Sequence, residues 1–412
     1  MINTINNLCL FVAPSSSLGG AERVLIENLK FLKKQKSLCP ELLAIENGPL
    51  VECVHNLGIP VHLLVLNNSV LRIGDSPARN ENKFIFLFTW IMAIPFVLWT
   101  VIRWRFFIKK HNPSVIHSNG FKTHLLLAWS VPRNIPIYWH LHDFIGDRPL
   151  MKRLLKSAWR PGIEALGISQ AVAEDFCKLL PNCPTNIWYN SIDCDKFKPG
   201  SHNGNWLDLT AGLTEGFQGL RIGLVATYAR WKGHEVFLES CSLLTLKYRD
   251  IIRFYIVGGP VYQTTGSQWS RCELEKTIHI KGLDGKVGLV PFQKDTSKVY
   301  KSLDIVIHAS TRREPFGLVI GEAMACGKPV VAALHGGAAE IGRNGIDCIG
   351  HKPGCSDSLA AAIEELIQKK SKRDILGINA RKRIIKNFGA ENMLSNWNKI
   401  IMRLKNNDNH TS

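Results

Sequence analysis

The sequence predicts an α/β protein of two domains, each built on a parallel β-sheet. Three observations carry that expectation. Short apolar runs of strand length alternate with segments of helical pattern, and strands joined through helices pair in parallel. The chain has 412 residues, too many for one typical hydrophobic core. In each half, an apolar run ends in a polar, glycine-bearing loop that leads into a helix, once near residues 8–20 and again near 304–317. Such loops sit where an open α/β sheet binds phosphorylated ligands.

Residues 8–13 (LCLFVA) read as a buried first strand, and the N-terminus lacks the basic region and long apolar core of a signal peptide. Gly19 and Gly20 then precede a helix over 21–34, and glycines there let a ligand approach the backbone. A plain tight turn is the competing reading of such a pair. Further strands are expected at 42–45 and 61–66, followed by a polar loop at 68–82. Residues 84–102 (FIFLFTWIMAIPFVLWTVI) hold no charge. As a helix they would span about 28 Å, the thickness of a bilayer's hydrocarbon core. The strands before and after belong to one sheet, however, and a single crossing would split it. Pro95 predicts a kink. Residues 103–110 (RWRFFIKK) alternate basic and aromatic side chains, which suits a headgroup zone. The segment reads as an interfacial helix that docks on an anionic membrane, with a wholly internal helix as the alternative.

Strands are next expected at 115–117 and 136–143. In the second, alternation places His140 and His142 on one face, with His142 nearer the carboxyl end. Strands at 165–169 and 186–189 complete a first domain of residues 1–200. The Gly-, Asn- and Thr-bearing stretch 200–220 reads as a linker. A second domain, 201–388, opens with a strand at 221–226. Its loop carries Arg230, Lys232 and Gly233 into a helix ending near 247, and a lysine at a strand's carboxyl end suits a diphosphate. Strands at 254–259, 287–292, 304–309 and 329–333 follow, then helices at 356–368 and 372–404.

The most informative stretch is 310–341 (STRREPFGLVIGEAMACGKPVVAALHGGAAEI). A helix is expected from Pro315–Phe316 to Gly327, because proline at a helix start needs no donor and glycine at its end tolerates positive φ. Its free N–H groups, around Gly317, Leu318 and Val319, point into the crevice. Glu314 and Glu322, eight positions apart, are expected about two helical turns apart on one side. Carboxylates repel phosphate, so the pair suits ligand hydroxyls. The plain alternative is a capping Glu314 and a solvated Glu322.

The net charge is +17, and residues 101–160 alone hold 11 basic side chains against 2 acidic ones. That local excess fits nucleic acid, anionic lipid or an acidic substrate. Without zinc modules or stacking-aromatic modules, nucleic acid is not expected. Eleven scattered cysteines, an odd number with no CxxC, read as reduced core residues without a zinc site or disulfide framework.

The run from Glu314 through Phe316–Gly317, the EAMACG around Glu322 and the following GG-x-x-E resembles the donor-binding signature of retaining GT-B glycosyltransferases. This is the large family commonly numbered 4, also called glycosyl transferases group 1. The GGAE of the first loop, residues 112–120 (NPSVIHSNG), the P-x5-H-D that ends at His142–Asp143, and residues 190–199 (NSIDCDKFKP) resemble other passages of that family, in its order. The resemblance covers nearly the whole chain. It implies two Rossmann-like domains with parallel sheets facing across a cleft, and a final segment, 389–412, whose helix crosses back to the first domain. It implies transfer of a sugar from a nucleoside diphosphate sugar, with retention, and the apolar and basic segment 84–110 adds the expectation of a saccharide or lipid-linked acceptor at the cytoplasmic face of a membrane.

The catalytic residues so implied are His142, Glu314 and Lys232, with His140 second to His142. The donor-binding ones are Gly19, Gly20, Arg230, Lys232, Phe316, Gly317, Leu318, Val319 and Glu322. No metal or other cofactor is expected, because Lys232, Arg230 and helix N-termini would neutralise the diphosphate. The chain departs from the family at Ala226–Thr227, where Gly-Arg is usual, and Arg230 is the candidate replacement. The departure keeps open a weak or inactive sugar-nucleotide binder; another GT-B enzyme, such as an epimerase or phosphorylase, is a separate alternative that the Glu-x7-Glu run disfavours.

Overall fold

The strands form where the sequence places short, β-branched and apolar runs, and their order decides where a ligand can bind. The computed structural model describes residues 7–67, 70, 83–260 and 266–409. Of the polar loop expected at 68–82, only Val70 lies among them. The chain divides into two units, one of Met1–Tyr189 with Leu394–Ser412, the other Asn190–Met393.

In the first unit, strands β1 (Leu8–Ala13), β2 (Cys39–Ala44), β3 (Val61–Leu63), β4 (Val115–Asn119), β5 (Ile137–Leu141), β6 (Ile163–Gly167) and β7 (Thr185–Ile187) make one parallel sheet, ordered β3-β2-β1-β4-β5-β6-β7. Every residue of β1 is buried, as a strand covered on both faces requires. Helices α1 (Gly20–Gln35), α2 (Pro49–Asn56), α3 (Lys83–His111), α4 (Phe121–Ser130), α5 (Pro149–Ala158) and α6 (Gln170–Cys177) provide the crossovers.

The expected apolar segment lies in α3, which runs through Pro95 without a break. Ala93, Thr100, Trp104 and Ile108 are buried, with Val97, Val101 and Phe107 half-buried beside them, while Met92, Ile94, Leu98, Trp99, Ile102 and Phe106 stay exposed. The wholly internal alternative is thereby excluded for these residues. Strand β1, before the helix, pairs with β4, after it, through Cys9 and Val115. A single crossing would separate those paired strands. Among the described residues, no helix is long and apolar enough to cross a membrane.

The second unit holds β8 (Leu220–Val225), β9 (Ile252–Val257), β10 (Val287–Val290), β11 (Ile305–His308), β12 (Val330–Ala333) and β13 (Ile349–His351), ordered β10-β9-β8-β11-β12-β13 and parallel throughout. Its helices are α7 (Asn205–Thr210), α8 (His234–Tyr248), α9 (Arg271–Ile280), α10 (Thr296–Ser302), α11 (Leu318–Ala325), α12 (Ala338–Ile341), α13 (Ser356–Gln368) and α14 (Lys370–Phe388). The helical tract expected at 372–404 is thus interrupted at Gly389, where α15 (Ala390–Asn409) begins. From Leu394 onward α15 belongs to the first unit. There the fully buried Trp397 donates its Nε1–H to Asn28 (2.9 Å) and packs on Phe11.

Two expectations are corrected. The stretch 200–220 is not a bare linker, because it contains α7, whose fully buried Asp208 accepts from Arg221 (2.7 Å) and Arg253 (2.9 Å) and also from Tyr255. A carboxylate is tolerated there because two guanidiniums pair with it. The cysteines are all free, but Cys39, Cys177 and Cys272 are exposed rather than in the core.

Candidate functional site

Strand order reverses between β8 and β11 in the second unit, which opens a crevice beyond their carboxyl ends. Lys232 and Glu314 lie in the two loops that leave those strands. After β8 the chain makes a short 3-10 turn, Arg230–Lys232, closed by Gly233 at φ 78°. A Cβ on Gly233 would stand 1.9 Å from the Ala309 carbonyl oxygen, so only glycine lets this turn press against the end of β11. Thr311 N–H donates to Trp231 O (2.8 Å) and ties the two loops together.

That approach brings Lys232 onto Glu314. The ammonium donates to both carboxylate oxygens at 2.9 and 2.8 Å, and Glu314 also accepts from His308 Nε2 (3.1 Å) and Ser310 Oγ (2.9 Å). Glu314 is 8% exposed. Burial alone would raise its pKa, but the Lys232 charge and the His308 hydrogen bond outweigh it and hold the carboxyl well below the usual range. The Glu314 backbone is fixed too, with its N–H donating to His335 O and its carbonyl accepting from Gly337 N–H. Sequence reasoning missed His308 and Ser310. The available signal was a polar pair at the end of an otherwise apolar strand.

The next helix, α11, starts three residues later than expected, at Leu318, with Gly317 as its N-cap at φ 109°. Phe316 is buried beneath it, and Leu318 and Val319 are half-buried. Glu314 therefore lies before the helix, in a loop bridged to Gly336, and the two-turn argument relating it to Glu322 does not hold. Glu322 is within α11, 7% exposed, and accepts from Tyr300 OH (2.8 Å) and Thr296 Oγ1 (3.3 Å). The two carboxylates thus hold different partners. Arg230 is engaged elsewhere as well. Its guanidinium stacks on Trp269 (4.2 Å) and pairs with Glu273 (2.7 Å).

In the first unit the order reverses between β1 and β4. Gly19 caps α1, its N–H donating to Glu22 Oε2 (3.1 Å), and Gly20 is the first helical residue. A cavity of about 250 Å³ is lined by residues including Pro14, Gly120, His140, His142, Lys122 and Arg148. His142 is half-buried and donates from Nε2 to Asn119 Oδ1 (3.0 Å). Burial pushes its pKa down to about 4, so the ring is neutral at physiological pH and leaves Nδ1 as an acceptor. His140 lies 4.2 Å away, ring to ring, fully buried and without a hydrogen-bond partner on either nitrogen. Asn119, which orients His142, was not singled out from the sequence although it lies in the NPSVIHSNG passage.

Two Rossmann-like domains, the second with a lysine and a helix N-terminus at its switch point, define the chain as a GT-B protein. Residues 50–196 match the family model described as Glycosyltransferase Family 4, and residues 219–383 match Glycosyl transferases group 1. The chain belongs to this glycosyltransferase family. Spore coat protein SA of Bacillus subtilis is 30% identical over 232 residues, 52% of this chain and 59% of that protein. A D-inositol 3-phosphate glycosyltransferase of Corynebacterium kroppenstedtii is 34% identical over 166 residues, 39% of this chain and 35% of the relative. The chain thus spans about half the length of the curated relatives it matches, or less. Anabaena HepE, crystallised with UDP and glucose, superposes with a TM-score of 0.77 at 23% identity, covering 96% of this chain and 99% of its own. A glycosyltransferase from Rickettsia africae gives 0.76 at 22%, covering 97% and 99%. At those identities the likeness is one of fold.

Proposed function

We propose that the protein transfers a sugar from a nucleoside diphosphate sugar to a saccharide or lipid-linked acceptor at a membrane surface, with retention of the anomeric configuration. The observation that carries this reading is the Lys232–Glu314 pair beside the N-terminus of α11, at the switch point of the second sheet. In this proposal the sugar C1–oxygen bond breaks and the electron pair stays on the β-phosphate oxygen. Lys232 and the first N–H groups of α11 stabilise that charge, so no metal is required. The acceptor hydroxyl attacks C1 on the face the diphosphate leaves and passes its proton to the departing β-phosphate oxygen. Glu314 is occupied by Lys232, His308 and Ser310, which supports a step without a carboxylate nucleophile. Glu322 is assigned to donor hydroxyls and the neutral His142 to a substrate hydroxyl. UDP-sugars are the first donors to test, since HepE was crystallised with UDP-glucose.

The membrane part of the reading is supported by α3. Its exposed apolar side chains adjoin exposed Arg103, Arg105, Lys109 and Lys110, a combination that suits an anionic headgroup layer. A groove of about 390 Å³, lined by Val65, Phe96, Trp99 and Arg103 among others, opens on the same helix. The pairing of β1 with β4 fits attachment from one side, assigned here to the cytoplasmic face.

The test is a panel of nucleotide sugars with vesicle-presented acceptors, following nucleoside diphosphate release with and without EDTA and the product anomer by NMR. Release that survives EDTA, with the donor's anomeric configuration kept, is the expected result. Activity abolished by EDTA and restored by manganese would refute the metal-free step, and an inverted product would refute retention. Donor binding by thermal shift without any release would establish the inactive binder, the reading favoured by the engagement of Arg230 with Glu273.

A further inference from the structure

A second group of polar side chains lies in the first unit, at the edge of its sheet and among none of the residues used above. β3 is the edge strand and pairs with β2 in a register that sets His62 beside Leu43. Glu41, two residues before Leu43, shares its face of the sheet. The third member, His111, is the last residue of α3. His62 Nε2 is 2.7 Å from Glu41 Oε2, and His111 Nδ1 is 4.0 Å from the same oxygen. One ligand atom from each of the three lies within 4.8 Å of the others.

Phe107, one turn before His111, holds both rings. It stacks on His111 at 4.2 Å and meets His62 edge-on at 5.0 Å, while the two imidazoles stand 4.6 Å apart. A hydrogen bond accounts for Glu41 and His62 but not for His111, because 4.0 Å is too long for one. Two ligand atoms on a tetrahedral zinc, each about 2.1 Å from it, stand about 3.4 Å apart. The observed spacings bracket that value. Two imidazoles and one carboxylate suit zinc, cobalt or nickel, whereas calcium and magnesium take oxygen ligands.

We propose that Glu41, His62 and His111 bind a zinc-type divalent ion that fastens the base of α3 to the β2–β3 edge of the sheet. All three side chains keep 22–25% of their surface exposed, so the ion enters from solvent and a water completes the fourth position. The ion's role is structural. α3 packs along one face and leaves the other exposed, and a metal clip at its last residue fixes the angle at which the exposed face is presented. The sugar-transfer reading neither needs this ion nor is tested by it, since Lys232 and Glu314 belong to the other unit.

The experiment uses the full chain, stripped with a chelator and dialysed, then titrated with Zn²⁺. Uptake of about one equivalent, with a rise in melting temperature, is expected. His111→Ala and Glu41→Gln should each weaken uptake at least about tenfold, while His55→Ala, outside the cluster, leaves it unchanged. An unchanged far-UV circular dichroism spectrum and a cooperative melt in the metal-free state check that each variant is folded. Should one variant fail to fold, the other still decides the matter. Substituted Co²⁺ should show weak d–d bands without a thiolate charge-transfer band. Three results would each overturn the site: no uptake by the wild type at micromolar free zinc, undiminished uptake in His111→Ala, and thiolate charge transfer, which would place the ion on cysteines.

Discussion

Replacing Glu314 by Gln tests whether the Lys232 pair acts as a buried electrostatic unit. The carboxylate accepts four hydrogen bonds, two from Lys232 and one each from His308 and Ser310. Removing one partner of a buried pair costs about 3–5 kcal/mol. Lys232 keeps 18% side-chain exposure and the amide oxygen can still accept, so the low end, about 3 kcal/mol, is expected at pH 7.5. The pH dependence follows from the depressed carboxyl pKa. The unfolded chain titrates near 4.5, so the pair's contribution is fully present above that pH and is lost as pH falls toward the folded value. Below about pH 4.5, then, the gap between wild type and variant should begin to narrow, by somewhat less than about 1 kcal/mol at pH 4. The measurement is equilibrium urea unfolding of the full chain at pH 7.5 and again near pH 4. A difference below about 1 kcal/mol at pH 7.5 would place the interaction with exposed pairs, and a gap that widens with acid would invert the linkage.

Lys232→Ala should lower turnover by about 100-fold or more, whereas Arg230→Ala, which removes a contact to Glu273 and Trp269, should cost less than about tenfold; equal small effects would move phosphate neutralisation elsewhere. Glu322→Gln should weaken donor binding by about 1–3 kcal/mol, and unchanged affinity by calorimetry would put Glu322 outside the donor site. Burial lowers the pKa of His117 to about 3 and those of His142 and His234 to about 4. Melting temperature should therefore fall as pH drops from 6.5 toward 4, because the unfolded chain takes up protons these rings refuse; a flat profile would contradict this. Changing Arg103, Arg105, Lys109 and Lys110 together to Gln should weaken attachment to anionic vesicles by about fivefold per charge. Wild-type protein that fails to sediment with such vesicles at low salt would end the docking proposal.

The strands were legible because a parallel sheet covered on both faces demands short continuous apolar runs. The expected β12, 329–333, differs from the observed Val330–Ala333 by one residue. β13 went unread because three residues, Ile349–His351, carry no period. The helix at 315–327 was read from its proline and glycine, but Gly317 adopts positive φ and delays the first turn to Leu318. That single backbone choice moves Glu314 off the helix and changes its neighbours. Lys232 and Glu314 were both named from the sequence, yet nothing in it set one upon the other across 82 positions. Their meeting depends on the reversal of strand order between β8 and β11, a property of the whole sheet.

The same distinction between composition and position governs α3. Its apolar residues run around the whole helix, so no period marks an inner face, and an internal helix and an interfacial one read alike. The structure removes the wholly internal alternative for the described side chains, because large apolar residues on one face are exposed. Ala93, Thr100, Trp104 and Ile108 are buried, and Val97, Val101, Phe107 and His111 are half-buried beside them, so the covered positions recur every three or four residues along one face. The opposite face leaves Met92, Ile94, Phe96, Leu98, Trp99, Ile102 and Phe106 in water, an apolar surface that a protein without a partner for it rarely keeps. Arg103, Arg105, Lys109 and Lys110 stand at the end of that surface. The proposed membrane bearing anionic headgroups accounts for both features at once, the apolar face through insertion and the basic cluster through charge.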